Sequence, residues 1–278
     1  MDLSWIQGVV YGFISGLTDI LPVSAQAHKI LLLKFFGTAA NLDLLNFMIR
    51  MAVMGALYLC FQTQLVRINR ARALARIPKK KRNRPLDTRS LMDWSFLKTM
   101  VVPVILVFFI YRKIANAGNN LILTALFLFL NGVVLYLPQF FPTGNRDSRT
   151  LSRIEGLLMG IGGATSVLPG FSSIGSAISV ASICGVERNY ALNMSLMMNF
   201  VVNAGFAVFD IRSIAANGIG MLSFMVVVQY LVIAATAFCG TFLAIRVMRR
   251  LAENSGYLIF AFYCWGIALF TFILNLIA

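Results

Sequence analysis

The sequence predicts an all-α polytopic membrane protein with six transmembrane helices and two oppositely oriented re-entrant helical hairpins. Three observations support this. Hydrophobic residues make up 59% of the chain and charged residues only 12%, with a mean hydropathy of +0.81. Six apolar segments are long enough to cross a bilayer, which takes about 20 residues of helix. Two further apolar segments are interrupted by a proline, and these two segments resemble each other.

The six long apolar segments are the predicted transmembrane helices. Lipid offers no hydrogen-bond partners to the backbone, so a spanning segment satisfies its own polar groups by forming a helix. Short segments of alternating hydrophobicity, typical of outer-membrane barrels, do not occur in the sequence. The predicted spans are 42–63, 95–113, 119–141, 189–209, 219–245 and 257–277.

The two interrupted segments, 4–38 and 152–184, are the predicted hairpins. The first breaks at Leu21-Pro22 and the second at Leu168-Pro169-Gly170. Neither half of either segment is long enough to span a bilayer. Each tip is therefore expected to be a proline-bearing turn that presents hydroxyls and backbone amides.

The two hairpins also share a pattern of residues, which predicts an internal repeat. The segment 1–141 is expected to form one inverted repeat and 142–278 the other, since broken apolar segments at matching places are typical of such folds. The residues Ser4, Ile6, Gly8, Gly12, Gly16, Thr18, Leu21 and Pro22 match Ser152, Ile154, Gly156, Gly160, Gly163, Thr165, Leu168 and Pro169.

The net charge of +14 is concentrated in the loop 67–92, which carries ten Lys and Arg residues. The positive-inside rule places this basic loop in the cytoplasm and both termini outside, in a bacterial inner membrane. No cleaved signal peptide is expected. Anionic lipids are the expected neighbours of the loop, and nucleic acid is not an expected partner. The four cysteines lie in apolar segments without metal-binding spacing, so neither a metal site nor a disulfide is predicted.

The hairpin tips are candidate anion sites. A helix that begins after a turn presents free N–H groups and the positive end of its dipole, which suits phosphate. Hydroxyls follow both prolines, at Ser24 and at Ser172, Ser173 and Ser176, and His28 lies one helical turn after Ser24. A second interpretation stays open, in which each hydroxyl bonds back to its own helix.

Three ionisable residues lie in apolar surroundings: Asp19, His28 and Arg50. Charged groups within a bilayer are costly and are usually functional. Arg50 either pairs with Asp19 or holds a phosphate, and the sequence does not decide between the two. His28 either belongs to the site or lies at the headgroup interface.

The residues Gly16–Ser24 with His28, and Pro169–Gly175, resemble the two signatures of the BacA/UppP family of undecaprenyl-pyrophosphate phosphatases. The resemblance extends over essentially the whole chain. It implies the same fold of six spanning helices and two hairpins. It also implies that undecaprenyl phosphate or pyrophosphate is the ligand, in lipid recycling for peptidoglycan synthesis.

The chain departs from the family pattern at five positions. Ser15 and Asp19 stand where the first motif has glutamates, and Ala25 replaces a serine that is the family's proposed nucleophile. Ser173 and Ile174 replace the arginine and the serine of the second motif. These losses affect the nucleophile and the charge that cleavage of a pyrophosphate needs. We therefore expect a non-catalytic protein that binds the carrier lipid and translocates it as a flippase.

The alternative is a divergent undecaprenyl-pyrophosphate phosphatase that acts at the outer face, with Ser24, His28 and Asp19 as catalytic residues and a divalent cation as cofactor. A third candidate is a protein that sequesters the lipid without turnover. A homodimer is a further candidate assembly. In each case the predicted phosphate-binding residues are Asp19, Ser24, Gln26, His28, Arg50, Ser172, Ser173, Gly175 and Ser176.

Overall fold

A computed structural model describes residues 3–38, 42–114, 120–218, 223–254 and 256–277. Within these ranges the chain forms ten α-helices joined by turns and short 3-10 segments, and it contains no β-strand. Six of the helices are long and apolar enough to cross a membrane. The predicted all-α polytopic fold is confirmed.

The first interrupted segment forms a helical hairpin of α1 (Trp5–Ile20) and α2 (Ala25–Phe36). A capping box between Ser4 and Gln7 begins α1. The chain leaves α1 at Leu21 because Pro22 restricts the residue before it to extended backbone. At 16 and 12 residues, the two helices are about 24 and 18 Å long, so neither crosses a bilayer of about 30 Å.

Three long helices follow: α3 (Asp43–Ala75), α4 (Thr88–Ile114) and α5 (Leu121–Tyr136). The helix α3 continues 12 residues beyond its predicted end, so much of the predicted basic loop is helical. The extension is rich in Arg, Ala and Leu, which favour helix. Its Arg72 also packs over the ring of Trp94 on α4, 4.3 Å from the ring centre.

The second interrupted segment forms the hairpin of α6 (Arg153–Ala164) and α7 (Ser173–Ile183). A capping box of Ser152 and Glu155 begins α6, as the equivalent pair begins α1. The last helices are α8 (Arg188–Asn217), α9 (Phe224–Asn254) and α10 (Leu258–Ile277). The predicted start of the fifth span, 219–222, lies outside the described residues.

Glycines allow the hairpins to pack closely against transmembrane helices. A Cβ atom on Gly12 of α1 would lie 2.4 Å from the carbonyl oxygen of Ile233 on α9. A Cβ on Gly160 of α6 would lie 2.2 Å from the carbonyl oxygen of Met100 on α4. Small residues of this kind let helix backbones approach inside a membrane. The hairpins are thereby fixed against α9 and α4, while their assignment to two inverted repeats stays a prediction.

Candidate functional site

The two proline-bearing turns meet each other inside the helix bundle. The backbone N–H of Gly170 in the second turn donates to the hydroxyl of Ser24 in the first, at 3.1 Å. In return the hydroxyl of Ser172 donates to the carbonyl oxygen of Leu21, at 3.4 Å. The same Ser24 hydroxyl accepts the N–H of Ala27 and so caps α2. Ser24 therefore joins the two tips.

Asn131 of α5 connects both turns from a third element. Its amide donates to the carbonyl oxygen of Pro22 at 3.1 Å and accepts the N–H of Ser172 at 3.0 Å. The side chain is fully buried, so these two bonds satisfy an amide that would otherwise be costly to bury. One side chain thus fixes the distance between the tips.

The backbone at the contact adopts uncommon conformations. Ser24 has a φ of 66°, and it is the one non-glycine residue with a positive φ in the described part of the chain. Gly170 has a φ of 129°, and a Cβ there would lie 2.5 Å from Phe127. Strain of this kind persists where surrounding contacts hold it, and it is common at functional sites.

A small space of about 30 Å³ lies beside the joined tips. It receives side chains from both hairpins and from α3 and α8. We call this space the tip cavity, and its lining residues are Thr18, Asp19, Ala25, Gln26, Lys29, Arg50, Ser166, Phe171, Ser172, Ser173, Asn199, Val202 and Phe206.

Two cations line the tip cavity. The ammonium group of Lys29 donates to the side-chain oxygen of Asn46 at 3.3 Å. The Nε of Arg50 lies 2.6 Å from a carboxylate oxygen of Asp210, and its guanidinium stacks over Phe206, 4.5 Å from the ring centre. Arg50 therefore pairs with Asp210 rather than with Asp19, which excludes the first of the two alternatives that the sequence left open, while its role in holding a phosphate stays a prediction.

Asp19 accepts hydrogen bonds from neutral groups. The side-chain amides of Asn199 and Asn203 donate to the same carboxylate oxygen, at 2.8 and 2.9 Å. Asp19 forms no ion pair within the described residues. A carboxylate that is oriented by two amides and borders a cavity is available to accept a proton.

Two serine hydroxyls of the second hairpin are buried without a hydrogen-bond partner among the described residues, those of Ser166 and Ser173. Both residues line the tip cavity. An unsatisfied buried hydroxyl costs about 1–3 kcal/mol, so these two groups are available to a ligand that enters the cavity. Ser173 is also the first residue of α7, next to the free N–H groups of that helix.

The remaining predicted residues are placed elsewhere. The Nδ1 of His28 lies 2.8 Å from the backbone oxygen of Ser24, and its Nε2 lies 2.8 Å from the hydroxyl of Tyr263. The imidazole therefore does not hydrogen-bond the Ser24 hydroxyl, and the two residues do not form a pair of nucleophile and base. Gly175 packs against Pro22, since a Cβ atom on Gly175 would lie 2.7 Å from the Cβ of Pro22. The hydroxyl of Ser176 accepts a hydrogen bond from the hydroxyl of Thr165. None of these four predicted residues lines the tip cavity.

Of the nine predicted residues, the fold brings five to the tip cavity: Asp19, Gln26, Arg50, Ser172 and Ser173. The cavity is also lined by Lys29, Ser166 and Asn199, which are not among the nine predicted residues. The spacing of Asn199 and Asn203, one helical turn apart in an apolar helix, is the signal that could have identified a polar stripe on α8.

The residues present offer little to a metal ion by themselves. The described residues contain no cluster of three His, Cys, Asp or Glu side chains. Asp19 is the one carboxylate among the residues that line the tip cavity. Mg²⁺ is commonly held by one or two carboxylates together with substrate phosphates, so Asp19 fits a cation that arrives with a pyrophosphate.

Comparisons with known proteins agree on one family. The sequence profile described as bacitracin resistance protein BacA matches residues 8–270. A protein of Methanobrevibacter smithii named undecaprenyl-diphosphatase is 27% identical, covering 98% of this chain and 97% of its own length. Proteins of the same name from Desulforapulum autotrophicum and Thermosipho melanesiensis are 25% and 24% identical, over 98% and 96% of this chain and 99% and 98% of their own lengths.

Proposed function

The chain belongs to the BacA family, and on that premise we propose that it is a phosphatase that removes the terminal phosphate of a polyprenyl pyrophosphate of the undecaprenyl type. The expectation of a non-catalytic protein was wrong. The relatives that match this chain over nearly its whole length are named for an enzyme, undecaprenyl-diphosphatase. Because Ala25 replaces the family's proposed nucleophile and Ser173 replaces its arginine, the nucleophile and the positive charge must come from other positions than in the family motifs.

The observation that carries the proposal is the composition of the tip cavity. Two cations, one carboxylate and two serine hydroxyls that have no partner among the described residues line one small space beside the N-terminus of α7. Positive charge and N–H groups suit the oxygens of a phosphate. The hydroxyls and the carboxylate supply a nucleophile and a proton acceptor.

In the proposed reaction, the Ser173 oxygen attacks the terminal phosphorus, and the bond from that phosphorus to the bridging oxygen breaks. The polyprenyl phosphate leaves with the bridging oxygen, and the serine proton passes to Asp19. Water then hydrolyses the phosphoserine, so that inorganic phosphate and free Ser173 result. Each step conserves atoms and needs no oxidant or reductant.

Lys29 and Arg50 supply the positive charge in this proposal. Ser173 occupies the position of the arginine in the family's second motif, so the chain lacks that charge on α7. Lys29 on α2 and Arg50 on α3 bring two cations to the same space. A cation next to the transferring phosphoryl group stabilises its developing charge.

The lipid chain needs an apolar path beside the cavity. A groove of about 510 Å³ between α4 and α8 is lined by Phe108, Phe109, Gly205 and other apolar residues. Phe108 packs edge-on against Phe206, which lines the tip cavity, with ring centres 5.1 Å apart. We propose that the polyprenyl chain occupies this groove. The tip cavity holds about two water molecules as it stands, so its walls must separate to admit the terminal phosphate.

The direct test is phosphate release from undecaprenyl pyrophosphate by the purified protein. We expect phosphate release with Mg²⁺ and a strong loss of release with EDTA. Asp19 alone offers too few ligands to retain a cation without the substrate, so the chelator should remove it. Undecaprenyl phosphate, which lacks a terminal pyrophosphate bond, is the substrate control. No release under either condition, from protein that still binds the lipid, would contradict the proposed function.

Arg50→Gln is expected to lower kcat by about 100-fold, because it removes a cation from the transferring phosphoryl group. Glutamine still donates a hydrogen bond to Asp210, which limits the cost of an unpaired buried carboxylate. The measurement is phosphate release at saturating lipid, beside the thermal unfolding temperature.

Two variants separate charge from folding. Arg70→Gln removes the same charge from an exposed position of α3 and should leave the rate unchanged. Asp210→Asn weakens the ion pair but keeps Arg50 in place, so it should reduce the rate far less than Arg50→Gln. An equal loss in Asp210→Asn would show that the ion pair, rather than the cation, matters.

A further inference from the structure

A second small polar space lies at the end of the molecule where α8 begins. It has a volume of about 60 Å³ and shares no lining residue with the tip cavity. We call it the basal cavity. Its polar lining includes Arg188 and Tyr257, together with Ser179 and Ser182 of α7 and Thr143. The proposed phosphatase reaction makes no use of any of these groups.

Arg188 borders the basal cavity without a counter-charge. It forms no ion pair and no hydrogen bond through its side chain within the described residues, although it is only partly exposed. The neighbouring carboxylate of Glu187 accepts the N–H groups of Asn189 and Tyr190 instead. Arg188 is also the first residue of α8, where the helix dipole disfavours a cation. An anion in the cavity would offset both effects.

Tyr257 points to the same conclusion independently. The residue is buried, with a relative exposure of 9%. Its hydroxyl has no hydrogen-bond partner in the described part of the chain, and the residue lines the basal cavity. A buried hydroxyl without a partner is destabilising unless a ligand or water accepts its proton.

The N-terminus of α10 completes the set of donors. The helix begins at Leu258, directly after Tyr257, so the N–H groups of Leu258 and Ile259 have no helical carbonyl to bond, whereas that of Phe260 donates to the carbonyl oxygen of Tyr257. The guanidinium of Arg188 lies against this turn, since a Cβ on Gly256 would be 3.7 Å from its Nη2 atom. Arg188, Tyr257 and the first residue of α10 thus line one small space.

We propose that the basal cavity binds one phosphate group, either free inorganic phosphate or the phosphomonoester headgroup of a lipid. Its volume corresponds to about four to six water positions, which suits one phosphate better than a pyrophosphate. Arginine, tyrosine hydroxyl and backbone N–H groups are all donors, as the oxygens of a phosphate require. The site is separate from the tip cavity and does not depend on its chemistry.

The experiment measures thermal unfolding of the purified protein in detergent with two phosphate sources. Inorganic phosphate is compared with chloride, and phosphatidic acid with phosphatidylcholine. All measurements are made in the Lys29→Gln background, which weakens anion binding at the tip cavity. A ligand that binds the folded state raises the unfolding temperature in proportion to its occupancy. We expect a shift of several degrees with phosphate or with phosphatidic acid, and the source that produces it identifies the ligand.

Two variants assign the shift to the basal cavity. Arg188→Gln should abolish it, while Arg153→Gln, which removes an exposed arginine at the start of α6, should keep it. Tyr257→Phe should lower the apparent affinity about tenfold. Without phosphate, Tyr257→Phe should leave the unfolding temperature unchanged or raise it, because the unsatisfied hydroxyl is gone.

Tyr257→Phe is thus expected to lower the unfolding temperature relative to the wild type only when phosphate is present. This difference distinguishes a ligand site from a structural role, since loss of a structural contact would lower the unfolding temperature both with and without phosphate. The proposal is overturned if neither phosphate source shifts the unfolding temperature, or if the shift survives in both Arg188→Gln and Tyr257→Phe.

Discussion

Ser173→Ala is expected to reduce phosphate release by about a thousandfold or more, since loss of a nucleophile removes the covalent route. The fold should remain intact. The hydroxyl has no partner within the described residues, so its removal breaks no hydrogen bond. The measurement is single-turnover release from undecaprenyl pyrophosphate, with lipid binding followed in parallel.

Ser195→Ala is the matched control. Its hydroxyl is equally buried and has no partner in the described chain, but it lies on α8 outside the tip cavity. We expect the wild-type rate for this variant. If Ser173→Ala also keeps that rate, water rather than Ser173 attacks the phosphorus. In that case the proposed nucleophile is wrong, while the proposed substrate is unaffected.

Gly16→Leu is expected to prevent correct folding. A Cβ at Gly16 would lie 2.0 Å from the backbone oxygen of Ala237 on α9. Neither backbone can yield, so α1 must move away from α9 at a cost of at least about 3 kcal/mol. Because Asp19 lies one turn further along α1, the tip cavity should be lost with the packing. Size-exclusion chromatography and thermal unfolding in detergent measure the outcome.

Gly266→Leu provides the control, because a Cβ on Gly266 of α10 meets no atom within 4 Å. The same change of residue should therefore leave the protein monodisperse with nearly the same unfolding temperature. If Gly16→Leu behaves like Gly266→Leu, Gly16 of α1 does not pack against the backbone of Ala237 on α9.

Hydropathy and proline placement predicted most of the fold. The six spans and both hairpins follow from the length of the apolar segments and from Pro22 and Pro169, because a bilayer permits few other structures. The end of α3 at Ala75 could not be predicted in this way. Hydropathy falls where the helix leaves the apolar region, whereas helical propensity and the contact between Arg72 and Trp94 continue it.

The site was only partly predictable. Apolar surroundings identified Asp19 and Arg50, since a charge in a membrane segment is costly. Helical spacing, in contrast, grouped Ser24 with His28. In the structure the Ser24 hydroxyl accepts a hydrogen bond from Gly170 of the other hairpin, and the His28 ring hydrogen-bonds Tyr263 on α10. Spacing within one helix cannot account for partners that arrive from another.

The sequence by itself determined the class of protein, its membrane spans, its broken helices and its resemblance to a phosphatase family, because each of these depends on local composition or on a continuous motif. Only the tertiary structure decided which charges share a space. Lys29, Arg50 and Ser173 come from three different helices, α2, α3 and α7, and they line one cavity because the two hairpin tips bond to each other and to Asn131. Packing in three dimensions sets such distances, and no pattern along one chain contains them.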